Sequence, residues 1–171
     1  MKSLHILVVC AGVLGLAACS TTAQAPPEAN LSPQDLDALT VGYQLIQFDL
    51  MECDVMSGKE PAPSVAAVAD KICKDANDYE PELEQLAQAH KVTLPNTLPD
   101  DLEGRYVALH YAPTEERYLD DQISSHSAAL TMFEKEASAG TNPELVGVAR
   151  QIIPVVQANL AALRNTQVPH S

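Results

Sequence analysis

PTEERYLDDQISSHSAALTMFEKEAS, residues Pro113 to Ser138, holds a helix start, an apolar stripe and one polar residue set into that stripe. Thr114 can cap a helix beginning at Glu115, and Gly140 just beyond the stretch ends it. Leu119, Ile123, His126, Leu130, Phe133 and Ala137 recur at steps of three and four, so they share one helix face with a histidine at its middle. A long helix with one apolar face is stable only when that face is buried against other elements. His126 is therefore the most informative residue of the domain, and other helices must surround it.

The composition agrees with that reading. At 171 residues the chain is one domain's worth and long enough for a continuous core. Aromatics are 4%, Trp is absent, and the 12 prolines and 7 glycines fall mostly between apolar-periodic stretches, which reads as all-α. The formal charge of -13, from 23 acidic against 10 basic side chains, opposes binding to phosphate backbones and leaves no basic patch for anionic lipid. Nucleic acid is excluded as a natural partner.

Three further helices follow from the same signals. Ser32, Pro33 and Asp35 place a cap, a proline at the first helical position and an acid at the third, and open a first helix with the stripe Leu36, Leu39, Tyr43, Ile46, Leu50 and Cys53. After the loop GKEPAP, Ser64 is expected to cap a second helix with the stripe Val65, Val68, Ile72, Ala76, Tyr79, Leu83 and Leu86. Pro81 lies inside it and predicts a kink or break near Asp78 to Pro81. The connection from Lys91 to Pro113 contains a short helix, DDLEGRYVALHY, and is long enough to run back along a helix, so the second and third long helices are expected to be parallel. Asn142 and Pro143 start the last helix, with the stripe Leu145, Val148, Ile152, Val155, Asn159 and Ala162 and a kink expected at Pro154. Four such helices predict a four-helix bundle over residues 32–168, with a short extra helix in the connection between the second and third.

The N-terminus carries a different signal. Lys2 precedes an apolar run from Leu4 to Leu16, too short to span a bilayer and of the length of a secretion signal. Leu16, Ala17, Ala18 and Cys19 then resemble the lipobox of bacterial lipoproteins, which implies cleavage before Cys19 and acylation of its thiol. Ser20 after the cysteine implies, by the same resemblance, retention at the outer membrane. Residues 1–18 are thus expected to be a signal peptide. Residues 19–31, STTAQAPPEANL after the cysteine, are expected to be a tether. Loss of Lys2 brings the mature charge to -14.

Polar residues on or beside the stripes are the candidates for chemistry. Asp49, Asp75, His126 and Asn159 fall near mid-helix on four different helices, and buried polar groups at one level must satisfy each other or hold something. A core histidine hydrogen-bonded to Asp49 or Asn159 is the expectation; a divalent metal held by Asp49, Asp75 and His126 is the alternative. The Glu-x-x-His spacing of di-metal bundles is absent around His126, where positions 123 and 129 are Ile and Ala. Ser124, Ser125 and Ser127 flank His126 but, on a helix, are not expected to face it, and there is no nucleophile elbow or Gly-rich phosphate loop. Cys53 and Cys73 are the two thiols left after the signal and the anchor, and form a disulfide candidate in an oxidising compartment.

From Val65 onward the chain resembles the domain of unknown function 4142 family, ferritin-like four-helix proteins of bacterial envelopes. The residues that carry the resemblance are Val68, Ala69 and Asp75; Leu94 and Pro95; Tyr118, Gln122, Ile123 and His126; and Asn142, Pro143, Glu144 and Leu145, leading to Ile153, Pro154 and Leu160. The resemblance covers about residues 35–165 and implies a ferritin-like fold. It also implies a polar cluster with histidines where this chain has Ala76 and Asn159. A helix 1 glutamate of the family falls on Asp49, and an aspartate near the start of the third helix falls on Glu115. Two of three family histidines are thus missing, which weighs against a metal. The expectation is an outer-membrane lipoprotein facing the periplasm, without cofactor and non-catalytic. Cys19 would hold it to the membrane, and an envelope protein would be its partner.

Overall fold

The computed structural model describes residues 31–166; the signal segment, Cys19, most of the tether and residues 167–168 of the expected domain lie outside the described residues. Five helices make up the described chain: α1 (Pro33–Ser57), α2 (Pro63–Ala89), α3 (Asp100–Tyr111), α4 (Glu115–Ala139) and α5 (Pro143–Asn165). The chain is all-α, a bundle of four long helices with the short α3 in the α2–α4 connection.

Local chemistry explains the helix starts. The Ser32 hydroxyl accepts from the Asp35 amide while the Asp35 carboxylate accepts from Ser32, a reciprocal cap with Pro33 following. Thr114 accepts from the Arg117 amide, and Asn142 accepts from the amides of Glu144 and Leu145. The second helix departs from expectation: it begins two residues earlier, at Pro63 after Ala62, with no side-chain cap. Glu115 of α4 instead accepts from the Ala62 amide at 2.5 Å, so the start of α2 is tied by a neighbouring helix. Pro81 and Pro154 both lie inside helices that continue past them. The expected break near Asp78 does not occur, because Pro81 is exposed and the packed residues on either side of it, Ile72, Ala76, Leu83 and Ala87, hold the helix to the core.

Contacts at the helix ends set the directions. Asp35, at the start of α1, bonds Thr141 and Asn142 between α4 and α5; the starts of α2 and α4 meet through Ala62 and Glu115; and His90, after α2, reaches Glu144 at the start of α5. Each long helix is therefore antiparallel to its two neighbours around the ring α1, α2, α5, α4, while α2 and α4 run parallel across the diagonal, as the long connection predicts. α3 lies outside this ring against α1 and α4. Gly42 admits the Phe133 ring at the α1–α4 contact, where an added Cβ would stand 3.0 Å from Phe133 Cζ. α5 is by length and composition apolar enough to cross a membrane, yet it packs here against α4 and α2.

The buried faces differ from the expected stripes in two places. Leu36 is exposed, and Asp35, Ala38, Leu45 and Phe48 are buried in α1 instead. In α4 the inward face is Tyr118, Leu119, Gln122, Ser125, His126, Ala129, Phe133 and Glu136, so Leu119, His126 and Phe133 of the expected stripe are buried while Ile123, Leu130 and Ala137 are half-buried. That inward polar content has a consequence for the core. One apolar cluster runs from Leu39 and Phe48 through Ala76, Leu83, Phe133 and Ile152, and a second gathers Met56, Val65, Ile72, Leu109, Tyr118 and Leu163. Between them, at one level of all four long helices, lies a belt of polar side chains.

Candidate functional site

The belt contains all four polar residues singled out from the sequence. Asp49 (α1), Asp75 (α2), His126 (α4) and Asn159 (α5) line one cavity of about 40 Å³, together with apolar residues that include Ile46, Ile72, Phe133 and Ile152. Such a space holds a few water molecules at most. The four residues divide into two pairs.

On the α2–α5 wall, Lys71 Nζ donates to Asp75 Oδ2 at 2.7 Å and to Asn159 Oδ1 at 2.5 Å, and Asn159 Nδ2 donates to Asp75 Oδ2 at 2.9 Å. This network is closed on itself. The lysine neutralises the carboxylate that a metal would need.

On the α1–α4 wall, His126 is 4% exposed and its Nδ1 lies 3.1 Å from the Gln122 carbonyl one turn back. Helical side chains lean toward the N-terminal turn, which brings the ring onto that carbonyl. A carbonyl only accepts, so Nδ1 carries the proton, and in the neutral ring Nε2 does not. The expected bond to Asp49 or Asn159 is therefore not made: Asp49 Oδ1 stands 3.9 Å from Nδ1, and Asn159 is spent on Lys71 and Asp75. The same lean brings Ser125 Oγ to 3.5 Å from Nδ1, so this flanking serine does meet the histidine. No relay results. Serine and aspartate approach the same nitrogen, and the buried hydroxyl donates to the Gln122 carbonyl.

Sequence reading missed the lower half of the belt. Glu52 and Gln122 are fully buried, with Gln122 Nε2 donating to Glu52 Oε2 at 2.9 Å. Tyr118, also fully buried, has a hydroxyl without a partner, as have Glu52 Oε1, Gln122 Oε1 and Asp49 Oδ1. Burial pushes the Glu52 carboxyl up to about 8, with the Gln122 amide pulling the other way and Asp121 and Asp49 adding to the rise. Burial likewise raises Asp49, opposed by His126. These carboxyls resist losing their protons. The available signal was spacing: Glu52 is three residues after Asp49 and Gln122 four before His126, each one turn along the face of an expected belt residue.

Cys53 and Cys73 are joined as a disulfide with a Cα–Cα distance of 5.9 Å, at the level of the belt. It holds α1 to α2 where apolar packing is interrupted. Among the described residues no three His, Cys, Asp or Glu side chains gather as a metal-binding group. Asp49, Asp75 and His126 share a cavity without forming a ligand set.

The family profile Domain of unknown function (DUF4142) matches residues 20–166. The chain belongs to the DUF4142 family. Its DUF4142 fold is similar to a solved structure, a DUF305 fragment from Deinococcus radiodurans, at TM-score 0.69 and 16% identity, covering 78% of this chain and 95% of that one. At that identity the likeness is one of fold. Among curated proteins none matches this DUF4142 chain.

Proposed function

We propose that this DUF4142 protein is a non-catalytic binding module of the bacterial envelope, acylated at Cys19, held to the outer membrane and facing the periplasm, where an envelope protein is its partner. The observation that carries the non-catalytic reading is the closure of the α2–α5 side of the belt. Asp75, Asn159 and Lys71 bind one another, and the Ser125 hydroxyl donates to the Gln122 carbonyl, so among the described residues of the belt no serine is activated by the histidine. The Cys53–Cys73 disulfide supports an oxidising compartment, and the Leu16 to Cys19 motif after its apolar run supports the anchor.

Metabolic labelling of the full chain with an alkynyl palmitate analogue tests the anchor. The account predicts label in the membrane fraction of the native chain and none in Cys19→Ala. Equal labelling of both, or of neither, contradicts it.

A further inference from the structure

A second concavity, separate from the belt, lies on the outer side of α1. It measures about 490 Å³ and is bounded by α1, the segment Pro95–Leu98 and α3, with the rings of Tyr43 and Tyr106 on its walls. That volume falls in the range of small-molecule sites. No lysine, arginine or histidine lines it, while Glu103 does. Beside it, on the α2 side, Glu84 meets the Tyr43 hydroxyl at 3.4 Å and Glu80 meets the Gln47 amide at 2.5 Å. Burial, then the charges of Glu84 and Glu80, push the Tyr43 phenol up, so the negative field reaches the ring. The groove thus has the Glu103 carboxylate on its lining, the Glu84 and Glu80 carboxylates next to it against Tyr43 and Gln47, and two tyrosine rings between them.

Two of the donors that a neutral hydroxyl-rich ligand could use are already engaged. Gln44 Nε2 donates to the Thr97 carbonyl at 2.8 Å, and Gln47 Nε2 to Glu80. An anion finds no positive group. A cation finds ring faces and carboxylates, in the field of a chain whose formal charge is -13. Met51, Leu98 and Val107 supply apolar lining between the charged flanks. We propose that this groove binds a small aliphatic polyamine, its ammonium groups held by the Tyr43 and Tyr106 rings and by the Glu84 and Glu103 carboxylates, its methylenes on Met51, Leu98 and Val107.

Titration calorimetry of the full chain in neutral detergent, with spermidine as probe, tests this. One saturable site is expected, weakened at least about fivefold by Tyr106→Leu and by Glu103→Gln. Glu103 is exposed, so its variant keeps the test decisive should Tyr106→Leu perturb packing. Magnesium at matched ionic strength and 1,8-octanediol serve as controls. No saturable binding, or binding unchanged by Glu103→Gln, overturns the proposal. So does equal competition by magnesium, which would mark simple counterion attraction, or equal binding of the diol, which would mark an apolar trap.

Discussion

Glu52 has no exposed surface, and burial pushes its carboxyl from 4.5 up to about 8. Below the unfolded value both states hold the proton and the group is neutral to stability. Between about pH 4.5 and 8 the unfolded chain releases a proton that the folded chain keeps, so stability falls with rising pH. The slope from this one group is about 1.4 kcal/mol per pH unit. Glu52→Gln keeps an oxygen for the Gln122 amide and removes the titration. Its melting temperature is expected to exceed that of the native chain at pH 8 and to match it near pH 4, in thermal unfolding followed by circular dichroism across that range. Asp35 has the opposite sign. Burial raises its carboxyl, but hydrogen bonds from the Thr141 and Ser32 hydroxyls and the Asn142 and Thr141 amides together hold it well below the usual carboxylate range. Its stabilisation is present above 3.8 and is lost as pH falls below that value. Asp35→Asn turns one acceptor into a donor facing these donors and should cost about 3 kcal/mol at pH 7, read from the shift of the urea midpoint.

The helix starts at Ser32, Thr114 and Asn142 were legible because capping chemistry is complete within four residues of sequence. The start of α2 was not, since the acceptor at Ala62 is Glu115, 53 residues away. The polar part of the inward face of α4 was not legible for a related reason. Apolar spacing locates an inward face only when that face is apolar, and α4 turns Gln122, Ser125, His126 and Glu136 inward. Glu136 shows what such burial demands of the chain. Its carboxylate lies against Gly140, where an added Cβ would collide with both that carboxylate and the Glu136 carbonyl. Gly140→Ala should therefore destabilise the α4–α5 turn by about 1–3 kcal/mol, visible in chemical denaturation. The four belt residues were legible as mid-helix polar groups. Their partners were not, because Lys71 reaches Asn159 across 88 residues and Gln122 reaches Glu52 across 70.

Across the whole molecule, a polar belt divides one bundle into two apolar clusters, and the Cys53–Cys73 disulfide crosses the boundary between α1 and α2. The bond closes a loop of sequence separation 20, which corresponds to about 3 kcal/mol in the chain-entropy account. The double variant Cys53→Ala, Cys73→Ala should lose about that much stability by denaturant titration while keeping its helical content, because caps and core remain. On the α2–α5 side of the belt Lys71, Asp75 and Asn159 bind one another, and that closure is the centre of the account. Elemental analysis of the full chain, purified without chelators beside its His126→Ala variant, tests it most directly. The account predicts no stoichiometric metal in either protein and a lower melting temperature in the variant. About one metal ion per chain, lost with His126, would contradict it and make the belt a metal site.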